Sequence, residues 1–160
     1  MDLKDITKDI VDASVKLHKK IGPGLLESVY ETILAAELQR RGHTVERQKE
    51  ISFDYDGLHF DKCFRIDILV DDSVIVELKS TEKMAPVYAK QLKTYLVLAE
   101  KTVGLVLNFG MATMVEGIVR IVNHYVENTA PQSQTLCASA SLREDISVQN
   151  MKREKRHDVL

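Results

Sequence analysis

The chain has 160 residues, 44% of them hydrophobic and 29% charged, a composition that suits one compact globular domain and excludes wholesale disorder. The 22 Lys and Arg against 24 Asp and Glu leave a net charge of −2, which excludes a bulk-basic nucleic-acid binder but not a local basic patch. Two cysteines, Cys63 and Cys137, are too few for a disulfide scaffold or a Cys-rich zinc site. No apolar run approaches the ~20 residues of a membrane span, and the opening MDLKDITKDI has no signal-peptide core, so a cytoplasmic protein without a membrane partner is expected.

In chain order, Leu3, Ile6, Ile10, Ala13, Leu17 and Ile21 recur at three- and four-residue spacings and predict an amphipathic helix. Gly22-Pro23-Gly24 breaks it. A second helix is predicted from Leu25 to Arg41, with Leu26, Val29, Tyr30, Ile33, Leu34 and Leu38 on one stripe and Gly42 as its C-terminal cap. The period then changes to two. Val45 to Tyr55 reads as a strand, Asp56-Gly57 as a hairpin turn, and Phe64, Ile66, Ile68 and Val70 as one face of a second strand. A turn at Asp71 to Ser73 leads into a third strand, Val74 to Ser80. Pro86 suits the first turn of a helix running to Glu100, with Tyr88, Leu92, Tyr95, Leu96 and Ala99 as its apolar stripe. The continuous apolar run Val103 to Phe109 predicts a strand covered on both faces, and Gly117 to His124 a last short strand. The order ααβββαββ predicts an α/β fold with helices packed on a central mixed sheet. All Tyr and Phe lie at or before Tyr125, so residues 1–125 are expected to form the domain and 126–160 a poorly ordered polar tail with at most a short helix at Leu142 to Lys152.

Three ionisable residues interrupt the apolar hairpin. Glu77 and Lys79 are two apart on a strand and share a face, inside the run Val74-Ile75-Val76-Glu77-Leu78. Burying an acid and a base costs several kcal/mol per ion unless they are paired or hold a metal. A three-residue loop, Asp71 to Ser73, places Asp67 directly opposite Glu77, whereas a two-residue loop would put it on the wrong side. Two carboxylates so close repel unless a cation lies between them, and Mg²⁺ is the hard, oxygen-seeking candidate. Lys79 beside it could orient water or stabilise charge on a phosphate. A structural salt bridge from Lys79 to either acid is the other reading, and the residues by themselves leave both open.

The set Asp67, Glu77 and Lys79, as D-x9-E-x-K across a β-hairpin, resembles the PD-(D/E)XK nuclease superfamily. Gly24-Leu25-Leu26-Glu27-Ser28-Val29-Tyr30, within GPGLLESVYE, resembles the GxxExxY branch of that superfamily, as do Gln91 to Leu96, Leu105 to Gly110 and Ile118 to Asn123. The resemblance implies a restriction-endonuclease-like core and an Mg²⁺-dependent nuclease, with Mn²⁺ as a substitute and DNA as the substrate. It implies that Asp67 and Glu77 are metal ligands, that the Leu78 carbonyl is a further one, and that Lys79 is the catalytic lysine. Glu27 matches the branch's helix acid, which the resemblance implies as a further metal or water ligand, and Gln91 and Tyr95 match a helix motif beside the active site. Ile66 stands where the superfamily carries proline before the first acid.

Helical geometry separately places Glu27 angularly between Leu34 and Leu38, on the apolar face. A carboxylate in a first turn also suits the helix dipole, so both readings stand. For Tyr30 and Tyr95, core packing with a hydroxyl hydrogen bond is the alternative to a site role. His18, His43, His59, His124 and His157 lack metal-ligand spacing and are expected on the surface, and Cys63 as a small buried filler. Lys16, Lys19 and Lys20, the pair Lys90 and Lys93, and the run Lys152 to Arg156 could meet a phosphate backbone or be solvated faces. The rival to a nuclease is a catalytically inactive module binding nucleic acid or a protein partner. A homodimer through the first helix or the tail is a third reading.

Overall fold

In the computed structural model, which describes residues 2–124, the elements follow the order α1 (Leu3–Ile21), α2 (Glu27–Arg40), β1 (Val45–Tyr55), β2 (Leu58–Val70), β3 (Val74–Lys79), α3 (Pro86–Leu98), β4 (Val103–Asn108) and β5 (Ile118–Val122). The expected tail, with its Leu142 to Lys152 helix, Cys137, His157 and the Lys152 to Arg156 run, lies outside the described residues. The five strands form one mixed sheet in sequential order. β3 and β4 are parallel, joined by α3, and the other neighbours are antiparallel.

Two apolar layers sandwich the sheet. On one face, Ile6, Ile10, Ala13 and Leu17 of α1 and Tyr30, Leu34, Ala35 and Leu38 of α2 pack on Ile68, Val70, Val74, Val76 and Leu78. On the other, Leu92 and Leu96 of α3 pack on Ile66, Leu69, Ile75 and Val106. Fully burying each of the Ile, Leu and Val side chains stabilises by about 1.5–3 kcal/mol, which holds these elements more firmly than helix propensity does. No helix among the described residues is long and apolar enough to cross a membrane.

The central hairpin departs from simple alternation. Phe64 and Ile66 face the α3 layer, whereas Ile68 and Val70 face the α1–α2 layer, so the four do not share a face. The exchange occurs at Asp67. Directly across from it, between the rungs Arg47↔Ile68 and Lys49↔Ile66, Gln48 takes a left-handed φ of 51° and drops out of the ladder. β1 turns over at the same place, with Val45 against one layer and Ile51 against the other. The register is the same on both sides of this point, so a period-2 reading carries parity straight through the twist and fails beyond it.

Other expectations are corrected by tertiary contacts. α2 starts at Glu27, and Leu26 and Val29 are exposed instead of lying on the buried stripe. His18 and His43 are buried, not on the surface. The His18 ring contacts the Met111 carbonyl at 3.0 Å, while His43 lies between Asp71 at 2.7 Å and Asp9 at 3.3 Å, so both rings are satisfied by partners distant in sequence. His59 and His124 are exposed. Cys63 is exposed, because this part of β2 runs past the end of its pairing with β3, which covers only Ile68 to Val70. Lys93 donates to the Val122 carbonyl and the Asn123 side chain, both at 3.1 Å, and so ties α3 to the end of β5.

Candidate active site

β3 carries the site. Its first five residues are buried and Lys79 is half-buried at its end. Asp71 and Asp72 adopt left-handed φ values of 50° and 48°, which with Ser73 makes a three-residue loop and pairs Val70 with Val74. That register brings Asp67 opposite Glu77, but the backbone ladder stops one rung earlier, at Ile68↔Val76. Asp67 replaces the missing rung with its side chain, whose Oδ2 accepts the Leu78 N–H at 2.8 Å. Lys79 Nζ donates to Glu77 Oε1 at 2.6 Å and lies 5.3 Å from the centre of the Tyr88 ring on α3.

The other carboxylate oxygen, Glu77 Oε2, is buried with no hydrogen-bond partner. Burial, then the neighbouring charge of Asp67, pushes the Glu77 carboxyl above its ordinary range, and the Lys79 ammonium only partly opposes this. Burial also raises Asp67, helped by Glu31 and Glu27 and opposed by the Leu78 N–H and Lys79. Lys79 is itself raised: burial pulls it down, but Glu77, Asp67 and Glu27 outweigh that. Two half-desolvated carboxylates, one with an unpaired oxygen, form a donor set that suits a hard cation. Among the described residues no three or more His, Cys, Asp and Glu side chains converge tightly enough to hold a metal, so the acid set is the Asp67–Glu77 pair.

Glu27 reaches the end of β3 from the opposite layer. Its Oε1 accepts the Ser80 N–H at 3.1 Å, and Ser80 Oγ donates to the Leu25 carbonyl at 2.7 Å. Helix periodicity places this acid on the apolar face; it does point toward the sheet but remains exposed, because it stands in the first turn beyond the core. Tyr30 anchors the same turn. Its ring stacks on Phe109 at 4.4 Å, and its hydroxyl donates to the Gly22 carbonyl at 2.7 Å and accepts the Leu25 N–H at 3.2 Å. Gly24, at φ 114°, takes a conformation that a Cβ would strain. The spacing Gly24, Glu27, Tyr30 is thus one device: a turn, an acid delivered to β3, and the bolt that fixes both.

Gln91 and Tyr95 are joined to each other, Gln91 Nε2 donating to the Tyr95 hydroxyl at 2.6 Å, and Tyr95 stacks on Phe64 at 4.3 Å. The α3 side chain that meets Lys79 is Tyr88, one turn earlier. Leu78 lies between Glu77 and Lys79, its side chain in the core and its N–H on Asp67.

Residues not singled out from the sequence complete the surroundings. Buried Glu31 accepts from Arg47 Nε at 2.8 Å and from Gln48 Nε2 at 2.7 Å, and the same Gln48 amide lies 3.5 Å from Asp67 Oδ1. The i, i+4 spacing of Glu27 and Glu31 is a usable signal. Gln48 has none, since a left-handed non-glycine residue inside a strand leaves no mark in composition. Asn108 fixes the backbone beyond Lys79, accepting the Thr81 N–H at 3.0 Å and donating to its carbonyl at 2.9 Å.

A family model for the PD-(D/E)XK nuclease superfamily matches residues 4–121. The chain belongs to the PD-(D/E)XK nuclease superfamily. No curated protein and no solved structure matches it. The five-stranded mixed sheet with its three helices agrees with the restriction-endonuclease-like fold of the superfamily.

Proposed function

We propose that this member of the superfamily is a divalent-metal-dependent nuclease that hydrolyses phosphodiester bonds in DNA, of the GxxExxY branch, with residues 1–125 as its catalytic domain. The observation that carries the reading is the Glu77 side chain: buried, bonded on one oxygen to Lys79, bare on the other, and faced by Asp67. A purely structural salt bridge would not leave a buried oxygen unpaired beside a second acid. Mg²⁺, or Mn²⁺ in its place, held by Asp67, Glu77 and the Leu78 carbonyl with Glu27 nearby, would supply positive charge at the phosphate and a more acidic attacking water.

The chain's own residues do the rest. Asp67 holds its carboxylate in place through the Leu78 N–H. Glu77 orients the Lys79 ammonium, and the Tyr88 ring limits where that ammonium can swing. Lys79 then offers N–H donors to a non-bridging phosphate oxygen, where charge grows in the transition state. Glu27, bonded to the Ser80 N–H, keeps the segment after Lys79 from moving and presents a second oxygen toward solvent for an incoming water.

The test is cleavage of single- and double-stranded DNA and of RNA with Mg²⁺ or Mn²⁺. Wild-type protein should cleave DNA, and Glu77→Ala should fall to the no-enzyme background. Equal background from both proteins, with no calorimetric binding of Mn²⁺, would instead support a noncatalytic module.

A further inference from the structure

We infer that the turn from Gly24 to Leu26 is a nucleobase subsite, in which Leu26 stacks against an unpaired or unstacked base of the DNA strand beside the scissile phosphate; this deepens the nuclease reading and rests on it. An open cleft of about 640 Å³ is lined by Gly24, Leu25, Leu26, Glu27, Ser28 and Ser80. Two of these residues belong to the active site: Ser80 follows Lys79 in the chain, and Glu27 is bonded to it. The cleft thus begins one residue beyond Lys79, within reach of a nucleoside that neighbours a phosphate held there.

The cleft mixes the polar Glu27, Ser28 and Ser80 with two exposed leucines that the core does not use. Leu26 is 74% exposed, Leu25 beside it lines the same cleft, and Ile21 and Val29 in the flanking helices are exposed as well. Leu26 also occupies the N-cap of α2, where it provides no side-chain hydrogen bond. Ser, Asp or Asn at that position would accept a first-turn N–H and stabilise the helix. A position that breaks both the capping preference and the polarity of the surface, beside a reaction centre, is explained by a ligand with an apolar face. A nucleobase has such a face, and aliphatic wedges that unstack bases are an established way of engaging DNA.

The turn is held rigid enough to act as a platform. Tyr30 holds both Gly22 and Leu25, and Ser80 holds the Leu25 carbonyl. Little ordering entropy is then lost on binding. A base in a fully paired duplex reaches this cleft only at the cost of unstacking, so the subsite favours frayed ends, flaps and single strands.

The experiment uses full-length protein, Mn²⁺, and a short cleavage-resistant phosphorothioate oligonucleotide carrying one 2-aminopurine, as a single strand and as a duplex. Anisotropy reads affinity, and 2-aminopurine emission reads stacking. Wild-type protein should prefer the single strand and change its emission. Leu26→Asn should bind the single strand about five- to tenfold more weakly and lose the emission change, while its melting temperature stays level or rises because a cap has been gained. Leu26→Phe should restore both signals. Unchanged single-strand affinity and emission in Leu26→Asn would overturn the inference while leaving the nuclease reading intact. So would a wild-type dimer that Leu26→Asn converts to a monomer without altering DNA affinity. Failure of the wild-type protein to bind any oligonucleotide would remove the nuclease reading itself.

Discussion

Replacing Asp67 by asparagine separates catalytic acids from structural ones. In the metal-free protein Asp67 and Glu77 stand on neighbouring strands, at positions whose Cβ atoms are about 5 Å apart in such pairs. Two carboxylates at that separation repel by about 3 kcal/mol at an effective dielectric constant near 20. Lys79, bonded to Glu77 at 2.6 Å, offsets part of this, leaving a net penalty of about 1–2 kcal/mol. The asparagine side chain keeps an amide oxygen to accept the Leu78 N–H, so the substitution removes the repulsion and spares the hydrogen bond. In the presence of EDTA, Asp67→Asn should therefore melt about 4–8 °C higher than wild type, by the usual conversion for a domain of this size. Mn²⁺ at a hundredfold excess over its dissociation constant should stabilise wild type by about 2.7 kcal/mol and the variant by almost nothing. Scanning calorimetry with and without Mn²⁺, paired with a cleavage assay that the variant fails, reads both effects. A variant that melts lower than wild type in EDTA, or gains as much from Mn²⁺, would refute the reasoning and make Asp67 a structural clasp for β3.

Tyr30→Phe keeps the stack on Phe109 but loses the hydroxyl bonds to Gly22 and Leu25; it should cost about 1–3 kcal/mol in urea unfolding and speed amide exchange at Leu25. Asn108→Ala leaves the Thr81 N–H and carbonyl without their side-chain partner inside the protein; chemical denaturation should show a loss of about 2–3 kcal/mol, and kcat should fall more than KM rises because the segment after Lys79 loosens. Asp71 is pushed up by burial but held lower on balance by hydrogen bonds from His43 and the Thr44 N–H. A carboxyl lowered in the folded state stabilises above its unfolded pKa, about 3.9, and that stability is lost as pH falls through the folded value. Asp71→Asn should thus cost about 1–2 kcal/mol at neutral pH and nearly nothing in acid, as urea titrations at both pH values would show; equal costs at the two would exclude the ionic contribution.

Much of this molecule can be read from spacing alone. The three helices, the Asp56-Gly57 turn and the sequential strands follow from hydrophobic period and from residues that tolerate positive φ. Asp67, Glu77 and Lys79 are legible because a charged residue in an apolar strand is expensive and draws attention. Spacing starts the second helix too early, because Leu26 has the residue type of a core position but stands where the chain has not yet reached the core. Cys63, His18 and His43 are misplaced for a related reason: side-chain chemistry sets a preference for burial, while the path of the chain decides whether any neighbour covers it.

Local residue chemistry, then, settles which segments are helix or strand, which family the chain resembles, and which acids and lysine share the hairpin. Those properties depend on neighbours within a few residues, so one dimension suffices to state them. Only the folded chain decides that Asp67 trades a ladder rung for the Leu78 N–H, that Gln48 turns the hairpin over at that point, and that Glu27 meets Ser80 from the opposite layer. Each of these depends on a backbone twist or on two elements separated by 11 to 53 positions in sequence, where small changes of register move a side chain from one face of the sheet to the other.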